Sequence, residues 1–148
     1  MYIIKTEQSF DSAHFLAEYN GKCRNIHGHR WRIIIEIAQD ELENTGQTRG
    51  MIVDFAQLKT DLKKEADDLD HCLILETGTL KEKTYEALKD EGFRMVEVPF
   101  RPTAENFAKY FYDKMTEKGY AVKKSVVYET ENNCAAYSPL EGKYHDDI

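Results

Sequence analysis

Apolar and polar residues alternate along several segments of the chain, with the period of two that a half-buried β-strand shows. The alternation is partial in residues 2–10 and strongest in residues 30–39, "RWRIIIEIAQ", which hold four isoleucines. Shorter apolar runs predict further strands at 51–55, 94–98, 123–130 and 134–138. Because strands come in neighbouring pairs along the sequence, we expect them to pair antiparallel.

Other segments repeat apolar residues at spacings of three and four, the period of an amphipathic helix. They cover residues 54–69, residues 80–91 and a stretch that begins at Pro102–Thr103 and ends before Gly119. Asp54 fits the N-cap of the first helix, and Gly92 fits the stop of the second. Helices and paired strands together indicate an α+β fold. The length of 148 residues is that of a single domain, so we expect one domain over 1–148.

The composition excludes some classes of function. The formal net charge is -7, whereas nucleic-acid binding needs clustered Lys and Arg to neutralise phosphates. No run approaches the ~20 apolar residues of a membrane helix, and residues 1–10 lack the apolar core of a signal peptide. Three widely spaced cysteines, Cys23, Cys72 and Cys134, do not make a disulfide framework. We therefore expect a cytoplasmic protein without nucleic-acid or membrane partners.

The candidate chemistry is concentrated in "KCRNIHGHRW", residues 22–31. On an extended backbone, His27 and His29 point to the same face, and Trp31 follows on that face. His14 lies just past the first predicted strand and can meet them if the two strands pair. Three neutral imidazole nitrogens with an open fourth position are the pattern of a catalytic zinc site. The alternative is a set of ordinary surface or core histidines.

Three further sites could have either a chemical role or a purely structural one. Cys23 is a fourth zinc ligand, a separate acid–base or nucleophilic thiol, or an inert buried cysteine. Asp70 and His71 converge on a site at a helix end, or His71 simply complements the helix dipole. Glu129 lies on the same strand face as Val127, where its carboxylate would bind the N–C–N edge of a heterocycle. The alternative for Glu129 is an exposed residue at a strand end.

Six segments, taken in order, resemble the 6-pyruvoyltetrahydropterin synthase and QueD family. They are spread from Phe10 to about Tyr137 and read "FDSAHFL", "CRNIHGH", "GMIVDFAQLK", "LDHCLI", "RPTAENFAKYFYDKM" and "VVYETENNCAAY". The resemblance implies the tunnelling fold, an antiparallel four-stranded sheet with helices on one face. It also implies trimers that close into a barrel and stack in pairs, which gives a homohexamer.

The same resemblance implies roles for individual residues. His14, His27 and His29 look like zinc ligands, and Cys23 resembles the family's catalytic thiol. Asp70 and His71 resemble its proton-relay pair. The positions that look like substrate-binding residues are Glu129, which would grip a pterin ring, Thr103 and Glu105.

The spacing C-x-x-x-H-G-H is similar to the 6-carboxytetrahydropterin synthase branch, which implies cleavage of 7,8-dihydroneopterin triphosphate in queuosine biosynthesis. The pyruvoyl-forming enzyme, a zinc hydrolase with an inert Cys23 and a structural zinc protein remain as alternatives. The triphosphate needs local cations, for which Lys22, Arg24 and Arg101 are candidates. The chain departs from compact family members in a longer segment at about 76–96. We expect a loose C-terminus at about 142–148.

Overall fold

Six strands and three α-helices form the part of the chain that the structure, a computed structural model, describes, residues 1–139. In chain order they are β1 (Tyr2–His14), β2 (His27–Gln39), α1 (Phe55–Asp67), β3 (Leu73–Glu76), α2 (Glu82–Asp90), β4 (Met95–Val98), α3 (Ala104–Glu117), β5 (Val122–Tyr128) and β6 (Cys134–Tyr137). The expected loose end at 142–148 lies outside the described residues. Within them, no helix combines the length and apolar character needed to cross a membrane.

The strands form one mixed sheet in the order β4-β3-β1-β2-β5-β6. The long β1–β2 hairpin is antiparallel, and β5 and β6 extend it antiparallel on the β2 side. On the other side, β3 and β4 are parallel to β1 and to each other. The expected sheet of four antiparallel strands therefore accounts for β1, β2, β5 and β6 only. Strand β4 is parallel to β3 because the crossover between them contains the helix α2. Strand β3 follows β2 and α1 along the chain but pairs with β1, to which it is parallel.

Helices α1 and α3 begin where the local sequence provides a side-chain cap. The Asp54 side chain accepts a hydrogen bond from the Ala56 backbone N–H at 2.8 Å, which confirms it as the N-cap of α1. The strand predicted at 51–55 is wrong, because this stretch bends into that cap and joins no ladder. Thr103 caps α3 by accepting from the Asn106 N–H at 3.2 Å. The second predicted helix is confirmed as α2.

One apolar core lies between the sheet and two of the helices. The inner face of β2 contributes Trp31, Ile33, Ile35 and Ile37, each completely buried. Opposite them lie side chains of α1 and α3, including Leu58, Leu62, Phe107, Phe111 and Met115. These helices therefore cover one face of the sheet, as the sequence predicts. Helix α2, from the longer 76–96 segment, has no buried residue.

Candidate active site

The three candidate ligands meet at the loop end of the β1–β2 hairpin, where β1 ends and β2 begins. His14 pairs directly with His27 across the two strands, and His29 pairs with Ser12 two positions further along. Because alternate residues share a face, all three imidazoles lie on the inner face of the sheet. Each offers one ligand atom, and these atoms lie within 4.8 Å of one another. This group of side chains could form a metal site.

Backbone carbonyls fix the orientation of two of the rings. His14 Nδ1 is 2.8 Å from the Pro102 carbonyl oxygen, and His27 Nδ1 is 2.7 Å from the Asn25 carbonyl oxygen. A carbonyl oxygen only accepts, so we assign the proton of each neutral ring to Nδ1. Each Nε2 then presents a lone pair. Metal-binding histidines are commonly held by this arrangement, with the second ring nitrogen donating to a carbonyl.

The Nε2 atoms of His14 and His27 face each other at a distance that suits a shared cation. They are 3.1 Å apart. Two nitrogens bound to one tetrahedral zinc at the usual bond length are about 3.3 Å apart. Two lone pairs at this distance repel each other unless a cation or a proton lies between them. The observed spacing therefore fits a shared metal ion.

His29 supplies the third nitrogen. Its Nε2 lies 3.3 Å from Glu129 Oε1, but the contact lacks hydrogen-bond geometry, and Nε2 is a buried atom without a hydrogen-bond partner. Burial lowers the pKa of His29 and lowers that of His14 to about 4. Both rings are therefore neutral at pH 7, and the contact with Glu129 is not an ion pair there. Neutral imidazole is the form that binds metal.

Aromatic side chains support the histidine rings from the core side. Trp31 meets His14 and His29 edge to face, with ring centroids 5.1 and 5.4 Å away. Behind it, Phe107 contacts the indole at 4.9 Å, and Phe10 stacks at 6.0 Å. Trp31 thus forms a wall between the core and the histidines, as its position on the strand predicts. The packing restricts the rings to one orientation.

Cys23 lies in a short 3₁₀ turn, Lys22–Arg24, in the loop that joins β1 to β2. It is half-buried, and its carbonyl accepts a hydrogen bond from the Leu16 N–H at 3.0 Å. Cys23 is not part of the group formed by the three histidines. Arg101 Nη2 donates to the Ala17 carbonyl at 2.6 Å and so ties this loop to the chain before α3.

Glu129 follows the end of β5, where its N–H donates to the Asn133 carbonyl at 3.0 Å. The last pair of the β2–β5 ladder joins Arg32 to Tyr128. Glu129 is one step further, and its carboxylate therefore lies on the inner face, beside His29. The strand-face prediction from the sequence is confirmed, and this side chain is 30% exposed.

Asp70 and His71 lie at the other edge of β1, in the turn before β3. Asp70 Oδ2 and His71 Nδ1 are 2.7 Å apart, and Asp70 Oδ1 accepts from the Asp11 N–H at 2.8 Å. That backbone hydrogen bond is the main cause of the lowered pKa of Asp70. The His71 side chain is 78% exposed. Within the described part of the chain, its hydrogen-bond partners are Asp70 and Asp11, not the three converging histidines.

The sequence of this chain is similar to those of several known proteins. A model of the family described as 6-pyruvoyl tetrahydropterin synthase matches residues 3–139. This chain belongs to the 6-pyruvoyl tetrahydropterin synthase family. It is 32% identical over 140 residues to the 6-carboxy-5,6,7,8-tetrahydropterin synthase of Haemophilus influenzae, covering 93% of this chain and 99% of that protein. It is 34% identical over 126 residues to the protein of that name from Synechocystis, covering 78% of this chain and 98% of the relative.

Solved structures support the same fold. An uncharacterised protein from Wolinella succinogenes superposes with a TM-score of 0.74 at 23% identity, over 93% of this chain and 97% of that one. The 6-pyruvoyl tetrahydropterin synthase of Caenorhabditis elegans superposes with a TM-score of 0.63 at 25% identity, over 94% and 97%. The sheet described above is therefore the fold of this synthase family, here with six strands.

The chain just before α3 contacts the converging histidines through a backbone carbonyl. Pro102 contacts His14 through its backbone carbonyl, and Asn25 does the same for His27. A backbone carbonyl has no signature in the sequence. Thr103 is half-buried and engaged as the helix cap, and Glu105 is exposed in the first turn. The proposed substrate contacts of these two residues stay a prediction.

Replacing His27 with alanine should lower the bound metal to less than about a tenth of the wild-type content, because one of three converging nitrogens is lost. The content is measured by inductively coupled plasma mass spectrometry on protein purified with a defined zinc supply. His71→Ala is the matched control and should keep its metal. Full metal content in His27→Ala, or an equal loss in the control, would contradict this site.

Proposed function

We propose that this chain is a 6-carboxy-5,6,7,8-tetrahydropterin synthase, a zinc-dependent lyase of queuosine biosynthesis. The reaction converts 7,8-dihydroneopterin triphosphate to 6-carboxytetrahydropterin with release of acetaldehyde and triphosphate. The observation that carries the proposal is the pair of Nε2 atoms of His14 and His27, 3.1 Å apart and freed by backbone carbonyls. The two relatives bearing that enzyme name, at 32% and 34% identity, support the branch.

The proposed cofactor is zinc, held by His14, His27 and His29. Three neutral nitrogens leave a fourth position open, the arrangement of catalytic rather than structural zinc sites. When bound, zinc supplies a Lewis acid that makes protons on the substrate side chain easier to remove. A metal ion binds the neutral form of histidine through a free lone pair. The lowered pKa values of His14 and His29 keep these two rings in that form.

Cys23 and Glu129 have separate roles in this proposal. Cys23, close in sequence to the ligands but outside their group, takes a proton from the substrate side chain as a thiolate. Glu129 accepts two N–H hydrogen bonds from the N–C–N edge of the pterin, which directs the reacting side chain toward the histidines. Its partly exposed carboxylate, 3.3 Å from His29 Nε2, supports this orientation.

Asp70 and His71 form the second proton-transfer group. The Asp70 carboxylate accepts Nδ1–H of His71, so the exposed Nε2 remains able to exchange a proton. Because the pair lies on the opposite edge of β1 from β2, we propose that it completes the site of a neighbouring subunit in a homohexamer built from two trimers. Lys22, Arg24 and Arg101 remain candidates for the triphosphate, with Arg101 already engaged by Ala17.

The second candidate is the pyruvoyl-forming reaction on the same substrate. The family description and the name of the structural neighbour from Caenorhabditis elegans favour it. The same histidines and the same cysteine serve both reactions. The cysteine–histidine spacing and the names of the two relatives at 32% and 34% identity favour the carboxy-forming branch.

Incubation of the zinc-loaded protein with 7,8-dihydroneopterin triphosphate should yield 6-carboxytetrahydropterin and acetaldehyde in equal amounts. Mass spectrometry of the pterin, together with an enzymatic assay for acetaldehyde, measures both products. A pyruvoyl product without acetaldehyde would move the chain to the second candidate. An absence of turnover, with zinc bound and the fold intact, would refute both reactions.

Cys23→Ala should lower kcat by about 10²- to 10⁴-fold, the usual contribution of a general base, while the zinc content stays that of the wild type. Steady-state kinetics and metal analysis on one preparation give both values. Cys134→Ala is a matched control, since Cys134 is also a half-buried free cysteine. A parallel loss of zinc would make Cys23 a ligand, and retained activity would support the hydrolase reading of the sequence.

Glu129→Gln should raise KM by about 10- to 100-fold, because hydrogen bonds to a charged group contribute roughly 1.5–3 kcal/mol. Zinc content should not change. Glu131→Gln, an exposed carboxylate in the same turn, is the control and should keep the wild-type KM. An unchanged KM in Glu129→Gln would refute the anchoring role.

A further inference from the structure

The turn that carries Asp70 and His71 has an unusual backbone. His71 has a φ of 52°, in the left-handed region that residues other than glycine seldom adopt. Such a conformation persists only where surrounding contacts hold it. The contacts at this turn therefore decide where the His71 ring points.

Two of these contacts come from β1. The His71 N–H donates to the Asp11 carbonyl at 2.6 Å, and the Asp11 N–H donates back to Asp70 Oδ1 at 2.8 Å. This reciprocal pair fixes one side of the turn. It does not involve the backbone carbonyls of the turn or those at the end of α1.

Arg94 satisfies those carbonyls from the other side. Its Nη1 donates to the Asp70 carbonyl in a short contact, and its Nη2 donates to the Asp68 carbonyl at 2.7 Å. Both nitrogens also lie 3.5 Å from the Asp67 carbonyl. A planar guanidinium is suited to such multiple donation, and a cation is favourable at the C-terminal end of a helix.

Arg94 belongs to the longer 76–96 segment, directly before β4. Its carbonyl accepts from the Leu73 N–H at 3.0 Å, so its backbone is tied to the start of β3 while its side chain reaches the end of α1. The arginine thus connects the added strand β4 to the turn before β3. This gives the 76–96 segment a contact with the Asp70–His71 pair.

We propose that Arg94 is a positioning residue that holds Asp70 and His71 in their reactive orientation. The inference rests on the proposed function for the role of that pair in proton transfer. The guanidinium of Arg94 donates to the backbone carbonyls of Asp67, Asp68 and Asp70, so its proposed effect on the reaction is indirect. The added helix and strand deliver the guanidinium to the turn.

Kinetics test the proposal through the effect of Arg94 on kcat. Arg94→Ala should lower kcat by about 10- to 100-fold, the scale of a small misplacement of a reacting group, with KM changed less than about threefold. Zinc content should not change. Arg94→Lys, which keeps the charge but not the planar fork, should recover part of kcat and gives the same test if the alanine variant does not fold. Lys83→Ala, on the exposed face of α2, is the matched control.

A double-mutant cycle separates positioning from a general loss of stability. With His71 already replaced by alanine, Arg94→Ala should cause no further fall in kcat, because the group it positions is gone. Equal losses with and without His71, or an unchanged kcat in both Arg94 variants, would overturn the proposal.

A spectroscopic measurement makes the test independent of turnover. Long-range ¹H–¹⁵N spectra of histidine-labelled protein should show His71 protonated at Nδ1 in the wild type and a mixture of tautomers in Arg94→Ala. An unchanged His71 spectrum would refute the positioning role. If the wild type has no activity but the spectrum changes as expected, the proposed function fails while the structural role of Arg94 stands.

Discussion

The register of the β1–β2 hairpin is the constraint on which the candidate site depends. His14 lies opposite His27, and Phe10 lies opposite Trp31. A slip of one residue would turn every side chain of one strand to the other face of the sheet. The fully buried isoleucines of β2 make such a slip costly, because they would move into solvent. The alternation of apolar residues that forms the core thus also places the three imidazoles on the inner face of the sheet.

The site lies where the core ends and polar groups begin. Trp31 closes the apolar layer. Beyond it on the same face lie His29 and His27 of β2, opposite Ser12 and His14 of β1. Burial keeps His14 neutral, with a pKa of about 4, and backbone carbonyls fix its ring. Burying a polar side chain is unfavourable unless its polar atoms are hydrogen-bonded. Here the Nδ1 protons of His14 and His27 have carbonyl partners inside the protein, so the rings can be polar ligands at a buried or half-buried position. The Nε2 atoms of His14 and His27, and the unpartnered Nε2 of His29, are left for a bound cation.

The sequence predicts those features of the fold that depend on residues close together along the chain. The period-two pattern of β2 and the cap at Asp54 are features of neighbouring residues, and both are confirmed. The meeting of His14 with His27 and His29 follows from hairpin pairing, which adjacent strands favour. The strand β3 has four residues and pairs parallel to β1, so its short sequence does not specify its partner. The false strand at 51–55 has apolar residues that are drawn inward by the core without joining the sheet, such as Ile52.

The contacts of His14 span very different distances along the chain. His27, its partner across the hairpin, is 13 residues away, whereas the Pro102 carbonyl that fixes its ring is 88 residues away. The entropic cost of closing the longer loop is greater by about 1.7 kcal/mol. A nascent chain can therefore form the ligand pair soon after β2 emerges from the ribosome, long before the start of α3 has been synthesised. Ring orientation is completed last, so a metal ion captured early would be held loosely until the C-terminal half of the fold arrives.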